Sequence, residues 1–277
     1  MRDIPEQWQL QGSAAELYER YLVPAVTRQW ADDLVFRVGV REGDRLLDVA
    51  CGTGVVARAA ADRIGGAGRV AGLDLNAGML EVARSFATVG SLHLEWYEGD
   101  ALALPFDAGE FGIVVCQLGL QFFPDPLAGL REMRRVLRPG GTMGVSVFAE
   151  LERNPVAHAL SDALDRHIGP GASAAKRSEH ALADADALRD LFEEAALSRL
   201  QIETVTKTSH YPSLAAYVDF QLQATPLAAI LEPFDQLGRD RLAILVVDDL
   251  AATVGAFARD REFAFPQTAH VATAIAA

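Results

Sequence analysis

A short apolar segment that runs into a glycine-rich turn sets the strongest constraint on this chain. The segment "RLLDVA" predicts a buried strand, and Gly52 and Gly54 follow it in a tight turn. The pattern then predicts a helix over 55–64 and a second apolar strand, "RVAGLDL", which reaches an acid at Asp74. Two strands joined by a helix in this way form a parallel βαβ unit with a right-handed crossover. The chain is therefore expected to fold as an α/β protein.

The alternation of strands and helices continues through the first half of the chain. After a predicted helix over 77–88, three more strands are expected at "LHLEWYEG", "FGIVVCQL" and "TMGVSVFA", with the helix "PLAGLREMRRVLR" before the last one. Two later strands, "RLQIETVTK" and "AHVATAIA", bring the total to seven. The predicted fold is a doubly wound, Rossmann-like, seven-stranded sheet, with a helical cover from the N-terminal helices and late insertions.

The N-terminal part of the chain has the spacing of amphipathic helices. Ser13 and Glu16 match a capping box, and Pro24 predicts a break between two helices. The chain is thus expected to comprise N-terminal helices of the cover (1–40), a cofactor-binding core (41–150), and the last strands of the sheet with helical insertions that form a substrate pocket (151–277).

Composition narrows the class of partner. The chain has 277 residues, 25 of them basic and 38 acidic, and its formal net charge of -13 disfavours a nucleic-acid partner. Its two cysteines, Cys51 and Cys116, lack a metal-ligand spacing, so we expect no bound metal. The small number of cysteines also suits a reducing compartment. Neither a signal peptide nor a membrane-spanning run is apparent. We expect a soluble cytoplasmic protein that acts on a small molecule, either as a monomer or as a homodimer.

The glycine turn fits two classes of cofactor. Gly52, Gly54 and Ala57 satisfy the G-x-G-x-x-A form of a dinucleotide-binding turn, in which Asp74 would accept from the ribose hydroxyls of NAD. Asp48, however, lies within the first strand, close to the place where anionic phosphates would bind. An acid at that position suits a cofactor with a positively charged group better than it suits a dinucleotide.

Two further polar residues lie where later strands end. Asp100 follows the third strand, where it can accept from the amine of an adenine ring, and Gln117 lies at the end of the fourth strand. With these residues, the motifs "LLDVACGTG", "GLDLNAGML", "EGDALALPF", "FGIVVCQLGLQFFPDP" and "RVLRPGG" occur in order over residues 44–148. This set resembles the class I S-adenosylmethionine-dependent methyltransferases, specifically the small-molecule branch similar to the ubiquinone/menaquinone-biosynthesis methyltransferases.

The resemblance implies which residues hold S-adenosylmethionine. The backbone of the glycine turn would pack against the methionine and the sugar, Asp74 would accept from both ribose hydroxyls, and Asp100 would hold the adenine edge. Gln117 would lie near the methionine end, and Tyr21 resembles an aromatic residue that closes over the cofactor. The implied cofactor-binding residues are Tyr21, Ala50, Gly52, Gly54, Asp74, Leu75, Met79, Asp100, Ala101 and Gln117.

The implied reaction is methyl transfer, of EC 2.1.1 type, to oxygen, carbon or nitrogen of a small acceptor. Alignment of the reacting atoms supplies much of the rate in such a displacement, so a catalytic base is optional. The late region offers His158, His210 and Tyr211 as candidates for a base, and it also holds His167 and His180. Its aromatic content favours a hydrophobic or aromatic acceptor, such as a metabolite of natural product biosynthesis.

Two alternative functions remain open at this point. A protein of this fold could bind the cofactor and catalyse a non-methylating step such as a cyclisation. The glycine turn and Asp74 by themselves are also compatible with the function of an NAD-dependent oxidoreductase.

Overall fold

A computed structural model describes residues 13–86, 88–89, 92–225, 227–260 and 262–277 of the chain. The described residues form one large sheet with helices on both faces. Its strands are β1 (Arg45–Val49), β2 (Arg69–Asp74), β3 (Thr88–Val89), β4 (Leu92–Glu98), β5 (Phe111–Gln117), β6 (Leu137–Phe148), β7 (Leu197–Tyr211), β8 (Ala258–Arg259) and β9 (Glu262–Ala276).

The helices follow the strands in the order that the sequence predicts. They are α1 (Ser13–Leu17), α2 (Arg28–Arg37), α3 (Val55–Ile64), α4 (Ala77–Arg84), α5 (Pro126–Val136), α6 (Pro155–His167), α7 (Ala174–Ser178), α8 (Ala185–Glu194), α9 (Leu214–Ala224), α10 (Leu227–Ile230) and α11 (Gln236–Val254).

The strand order in the sheet is β3-β4-β2-β1-β5-β6-β9-β7, and β8 pairs with β9. Strands β4, β2, β1, β5 and β6 are parallel, whereas β9 runs antiparallel between β6 and β7. The seven long strands confirm the predicted seven-stranded, Rossmann-like sheet, and β3 and β8 are two-residue additions to it. The reversal of strand order on either side of β1 opens a crevice at the carboxyl ends of the parallel strands.

Both faces of the sheet carry an apolar core. The neighbouring β1 residues Leu46 and Leu47 belong to different clusters, because successive side chains of a strand point to opposite faces. One cluster includes Leu160 of α6 and Val246 of α11, and the other includes Phe192 of α8. Burial on both faces explains why the central strands read as continuous apolar runs in the sequence.

The predicted break near Pro24 is wrong. Residues 13–37 are helical throughout, because π-helical turns over Tyr18–Thr27 connect α1 directly to α2. Proline has no N–H group to donate to the preceding turn, and the wider π-helical turns accommodate it without ending the helix. The capping box at Ser13 begins at the edge of the described residues and stays a prediction.

The cover on one face of the sheet is built from late helices and the N-terminal helix. Helix α11 packs on α6 and α9, while α9 also contacts α1. Several bounds differ from those predicted: α4 ends at Arg84 rather than at 88, β6 begins at Leu137 rather than at 142, and β9 begins at Glu262 rather than at 269. The early start of β6 reflects the pairing of Leu137 with Phe111 of β5, which is a long-range contact and not a local signal.

Candidate active site

A crevice lies at the carboxyl ends of β1, β2, β4 and β5. It encloses about 1060 Å³, open solvent at its mouth included. Eight of the ten predicted cofactor residues line it, and these are Ala50, Gly52, Asp74, Leu75, Met79, Asp100, Ala101 and Gln117. The structure thus brings together residues that are spread over nearly 70 positions of sequence, which is what a topological switch point does.

The turn after β1 and the acid at the end of β2 are already hydrogen-bonded to each other. The N–H of Gly52 donates to Oδ2 of Asp74 at 2.7 Å, and the N–H of Asn76 donates to Oδ1 at 2.8 Å. Burial raises the pKa of Asp74 above its ordinary value, while these backbone donors act in the opposite direction. Ala50 and Gly52 both have a positive φ, of 55° and 54°, which bends the backbone toward the crevice.

Gly54 is required by packing and is not among the residues that line the crevice. A Cβ atom on Gly54 would lie 2.3 Å from Cη2 of Trp96, and one on Gly72 would lie 2.5 Å from Cζ3 of the same indole. Gly72 pairs with Trp96 in the parallel register of β2 and β4. Two glycines therefore make room for one indole ring that lies across β2 and reaches the turn.

Asp48 lies beneath the glycine turn and is fully buried. Its Oδ2 accepts from the N–H of Ala57 at 3.1 Å, which ties the first turn of α3 to β1. Its Oδ1 has no hydrogen-bond partner among the described residues. Burial raises the pKa of Asp48 to about 8, so its carboxyl is mostly protonated at neutral pH.

Two more of the predicted polar residues line the crevice, Asp100 after β4 and Gln117 at the end of β5. Oδ1 of Asp100 accepts from the N–H of Leu102 at 2.8 Å, which fixes the loop after β4. Oε1 of Gln117 is buried and has no hydrogen-bond partner among the described residues, so a ligand in the crevice could satisfy it. Leu118, which follows Gln117, has a φ of 51° and leads the chain out of β5 along the crevice wall.

The structure places Tyr21 outside the crevice. Its side chain is 42% exposed, and its ring centroid lies 6.5 Å from that of Phe220. Tyr18 from the same helical segment lines the crevice instead, and burial is the main reason that its pKa is raised. The resemblance implied Tyr21 and gave no signal for Tyr18, because the π-helical turns over Tyr18–Thr27, which set how these side chains are arranged around the axis, leave no mark in the motif.

A second pocket of about 800 Å³ lies under the helical cover. It shares Tyr18, Leu118 and Phe122 with the crevice, so the two spaces meet at these residues. Aromatic and aliphatic side chains form most of its wall. Its polar lining residues are Thr27, Asn154, Lys176, Glu179, His180, Gln221, Thr225 and Gln267.

The histidines predicted as candidate bases do not line either pocket. His158 pairs with Asp162 at 3.7 Å, and His210 pairs with Glu262 across the surface. Tyr211, by contrast, is buried and lines the second pocket. His180, which the sequence did not distinguish from the other histidines, lines it as well.

Neither cysteine lines either pocket. Cys51 and Cys116 are free and buried, and burial raises the pKa of both thiols, which disfavours the thiolate form. Across the described residues, no group of three or more histidine, cysteine or acidic side chains is placed to hold a metal ion. In that same part of the chain, none of the helices has both the length and the apolar content needed to cross a membrane.

Comparison with known proteins assigns the family. The model of the ubiE/COQ5 methyltransferase family matches residues 22–210, well over half of the chain. The chain belongs to the ubiE/COQ5 methyltransferase family. The family membership confirms the resemblance drawn from the motifs, and it disfavours the dinucleotide-dependent oxidoreductase that the glycine turn alone left open.

Two curated relatives and one solved structure illustrate the match. The chain is 33% identical over 150 residues to the chloroplastic 2-phytyl-1,4-beta-naphthoquinone methyltransferase of Arabidopsis thaliana, covering 53% of this chain and 58% of that protein. It is 40% identical over 112 residues to the demethylmenaquinone methyltransferase of Staphylococcus aureus, covering 40% of this chain and 46% of that protein. The chain thus spans about half the length of these family members.

The solved structure supports the fold. Phosphoethanolamine N-methyltransferase 2 of Haemonchus contortus, in complex with S-adenosyl-L-methionine, superposes with a TM-score of 0.59 at 16% identity. The superposition covers 99% of this chain and 59% of the other. At this identity the likeness is one of fold, and it extends over the helical cover as well as the sheet.

Proposed function

We propose that this chain binds S-adenosylmethionine in the crevice and transfers its methyl group to a small hydrophobic acceptor in the second pocket. The observation that carries the proposal is the meeting of the two pockets at Tyr18, Leu118 and Phe122. A group transfer between two bound molecules needs adjoining sites from which water is excluded. Membership of a methyltransferase family supports the same reading.

The residues of the crevice fit this cofactor. Asp74 is held by backbone donors at the end of β2, where its oxygens can also accept from ribose hydroxyls. Asp100 and Ala101 line the part of the crevice that follows β4, where an adenine edge would lie. The unpartnered Oε1 of Gln117 can accept from the ammonium group of the methionine part.

When bound, S-adenosylmethionine supplies a methyl group on a positively charged sulfur, already activated for displacement. The chain has three tasks around it. The glycine turn and Asp74 orient the cofactor, the helical cover excludes water, and the walls of the second pocket align the acceptor. Alignment alone gives a large rate advantage, so the crevice residues need no proton-transfer role.

The acceptor is proposed to be an aromatic or quinone-like metabolite. Phe122, Phe148, Tyr217 and Phe265 line the second pocket, and such a wall favours a flat apolar ring. The two curated relatives named above are a 2-phytyl-1,4-beta-naphthoquinone methyltransferase and a demethylmenaquinone methyltransferase. Part of the wall, however, comes from α9, which lies beyond the matched residues 22–210, so an acceptor from natural product biosynthesis is included in the proposal.

The two free, buried cysteines suit the reducing cytoplasm.

Calorimetry and turnover test the proposal together. We expect S-adenosylmethionine and S-adenosylhomocysteine to bind with micromolar affinity, and NAD to show no binding. Incubation with S-adenosylmethionine and reduced 1,4-naphthoquinone or 1-naphthol is then expected to release S-adenosylhomocysteine, measured by mass spectrometry. Binding of NAD without S-adenosylmethionine would overturn the cofactor assignment. Cofactor binding without methylation of any aromatic acceptor would favour the non-methylating alternative.

A further inference from the structure

The hydrogen bond of His180 fixes which ring nitrogen carries a proton. Nδ1 of His180 lies 2.6 Å from the carbonyl oxygen of Ala149. A carbonyl oxygen can only accept, so Nδ1 must be the donor, and in the neutral ring Nε2 is left with a free lone pair. No described residue hydrogen-bonds Nε2. His180 is therefore held in the tautomer that a proton acceptor needs.

The surroundings of His180 favour the neutral ring. Burial is the main cause that lowers the pKa of His180, and nearby Lys176 acts in the same direction. Glu179, Glu152 and the carbonyl of Ala149 act in the opposite direction but do not reverse the shift. These are the charged groups that face the ring from α7 and from the segment after β6. The ring also lies against Phe148, with centroids 5.5 Å apart.

A second unpartnered polar group lines the same pocket. Tyr211 is only 4% exposed, and its buried hydroxyl has no hydrogen-bond partner among the described residues. A buried donor without a partner costs free energy unless a ligand satisfies it. Tyr211 is held in place by aromatic neighbours, since its ring stacks on Phe265 at 6.1 Å and meets Tyr217 edge-on at 5.1 Å.

A buried ion pair completes the polar part of the pocket. Nζ of Lys176 lies 2.8 Å from Oε2 of Glu179 and 3.3 Å from Oε1 of Gln221. The ion pair lies within the segment around α7, and the bond from Lys176 to Gln221 joins that segment, which carries His180, to α9. Lys176 and Glu179 already have partners, whereas Nε2 of His180 and the hydroxyl of Tyr211 are free to meet a ligand.

We propose that the acceptor carries an aromatic hydroxyl group, and that Nε2 of His180 takes the proton of that hydroxyl during methyl transfer. The inference rests on the proposed function and specifies its substrate class and its base. The O–H bond breaks, its proton forms an N–H bond on Nε2, and its electron pair forms the bond from oxygen to the methyl carbon. The carbon–sulfur bond breaks at the same time, and its electron pair stays on the sulfur. The O–H group of Tyr211 donates to the acceptor and keeps its ring in place.

Substitutions at His180 separate the two ring nitrogens. Asparagine in H180N retains a donor near the position of Nδ1, so it can keep the bond to Ala149, but it offers nothing at the position of Nε2. Glutamine in H180Q places its amide near Nε2 and gives up the bond to Ala149. H210N changes a surface histidine and is the matched control. Thermal melting and calorimetry with S-adenosylhomocysteine verify that each variant is folded and loaded.

Binding is measured with two probes on the protein saturated with S-adenosylhomocysteine. 1-Naphthol carries the aromatic hydroxyl proton. Its methyl ether, 1-methoxynaphthalene, has the same ring but no hydroxyl proton. We expect the wild type and H210N to bind 1-naphthol about tenfold more tightly than 1-methoxynaphthalene, which corresponds to the free energy of one good hydrogen bond. H180N is expected to reduce this preference to less than about twofold, and H180Q to retain part of it. With S-adenosylmethionine, formation of 1-methoxynaphthalene by H180N should fall on the order of 10²–10⁴-fold.

The pH profile gives a readout that a structural role would not change. The wild-type rate should fall on acidification with a midpoint below the ordinary histidine pKa of about 6.5, because burial lowers the pKa of His180 and protonated Nε2 cannot accept a proton, and H180N should lack this fall. A wild type that binds S-adenosylhomocysteine but does not distinguish the probes, or binds neither, overturns this inference and leaves the proposed cofactor intact. Retained methylation by H180N overturns it as well. Failure to bind S-adenosylhomocysteine at all would instead overturn the proposed function.

Discussion

Oδ2 of Asp74 lies 2.7 Å from the amide nitrogen of Gly52, so the acid at the end of β2 is hydrogen-bonded to the turn that follows β1. The bond connects two neighbouring strands at the edge where the crevice opens. Oδ1 of the same carboxylate accepts from Asn76, whose own side chain caps α4 at Met79. One carboxylate therefore orients both the turn and the start of a helix before any ligand binds.

Loss of the Asp74 charge should weaken cofactor binding. In Asp74→Asn one of the two oxygens becomes a donor, so the side chain can no longer accept from backbone N–H groups and ribose hydroxyls at once. Hydrogen bonds to a charged group are worth about 1.5–3 kcal/mol, so we expect an affinity loss of about tenfold to hundredfold for S-adenosylmethionine by calorimetry. The matched control is Glu42→Gln on the exposed surface, which should bind like the wild type. Equal affinities for the two variants would contradict the role of Asp74.

Contact with Trp96 should make Gly54 less replaceable than a glycine of similar backbone conformation. Gly54 has a φ of +85° and Gly140 a φ of +74°, but a Cβ on Gly140 would meet nothing within 4 Å. Gly140→Ala should therefore cost about 1–2 kcal/mol of unfolding free energy, from the left-handed backbone alone. Gly54→Ala should cost roughly 1–3 kcal/mol more, because its Cβ overlaps the indole. Urea unfolding measures both, and similar losses would show that Trp96 yields without cost.

Burial of Asp48 should make stability depend on pH. Its folded-state pKa of about 8 lies above the unfolded value of about 3.9, so between these values the folded protein binds the extra proton. The wild type should thus lose stability relative to Asp48→Asn as the pH rises from 5 to 8, by at most about 1.4 kcal/mol per pH unit. Asparagine can still accept from the N–H of Ala57. Urea titrations of the cofactor-free proteins check this, and a constant difference between the variants over this range would contradict it.

Replacing one partner of the buried ion pair should lower the free energy of unfolding more than replacing both partners. The Lys176 and Glu179 side chains are 8% and 11% exposed. Lys176→Met leaves Glu179 buried without its cation, and we expect a loss of about 3–5 kcal/mol of unfolding free energy. The double variant with Glu179→Leu should recover most of that loss, because no uncompensated charge remains. A double-mutant cycle by urea unfolding provides the comparison, and simple additivity would show that the two side chains are not coupled.

The core of the sheet could be predicted from sequence because its signals are local. Helix α3 occupies residues 55–64 as predicted, and β5 differs from its prediction only in ending at Gln117. Apolar runs, a glycine turn and a helical period each depend on neighbouring residues alone. The same holds for Asp74, which ends β2, and Asp100, which follows β4, because the carboxyl ends of parallel strands lie at one edge of the sheet.

Two of the predicted cofactor residues do not line the crevice, and both differences depend on how segments pack. Tyr21 lies outside the crevice and Tyr18 lines it, in a helical segment that continues through Pro24 in π-helical form. Gly54 belongs to the family motif, but in this fold a glycine is needed there because the indole of Trp96, more than 40 residues away in sequence, leaves no room for a Cβ atom. Neither fact has a local signal that a sequence pattern could reveal.

The sequence by itself determined the order of strands and helices, the family, and the acids at the strand ends, because these follow from periodicity and from motifs in a contiguous stretch. Only the tertiary structure decided which histidine meets the second pocket. His180 follows a short helix, Tyr18 lies in the N-terminal segment, and Tyr211 ends β7, so their meeting depends on long-range packing around the sheet. The chemistry of the acceptor therefore lies in contacts between segments, not in any one motif.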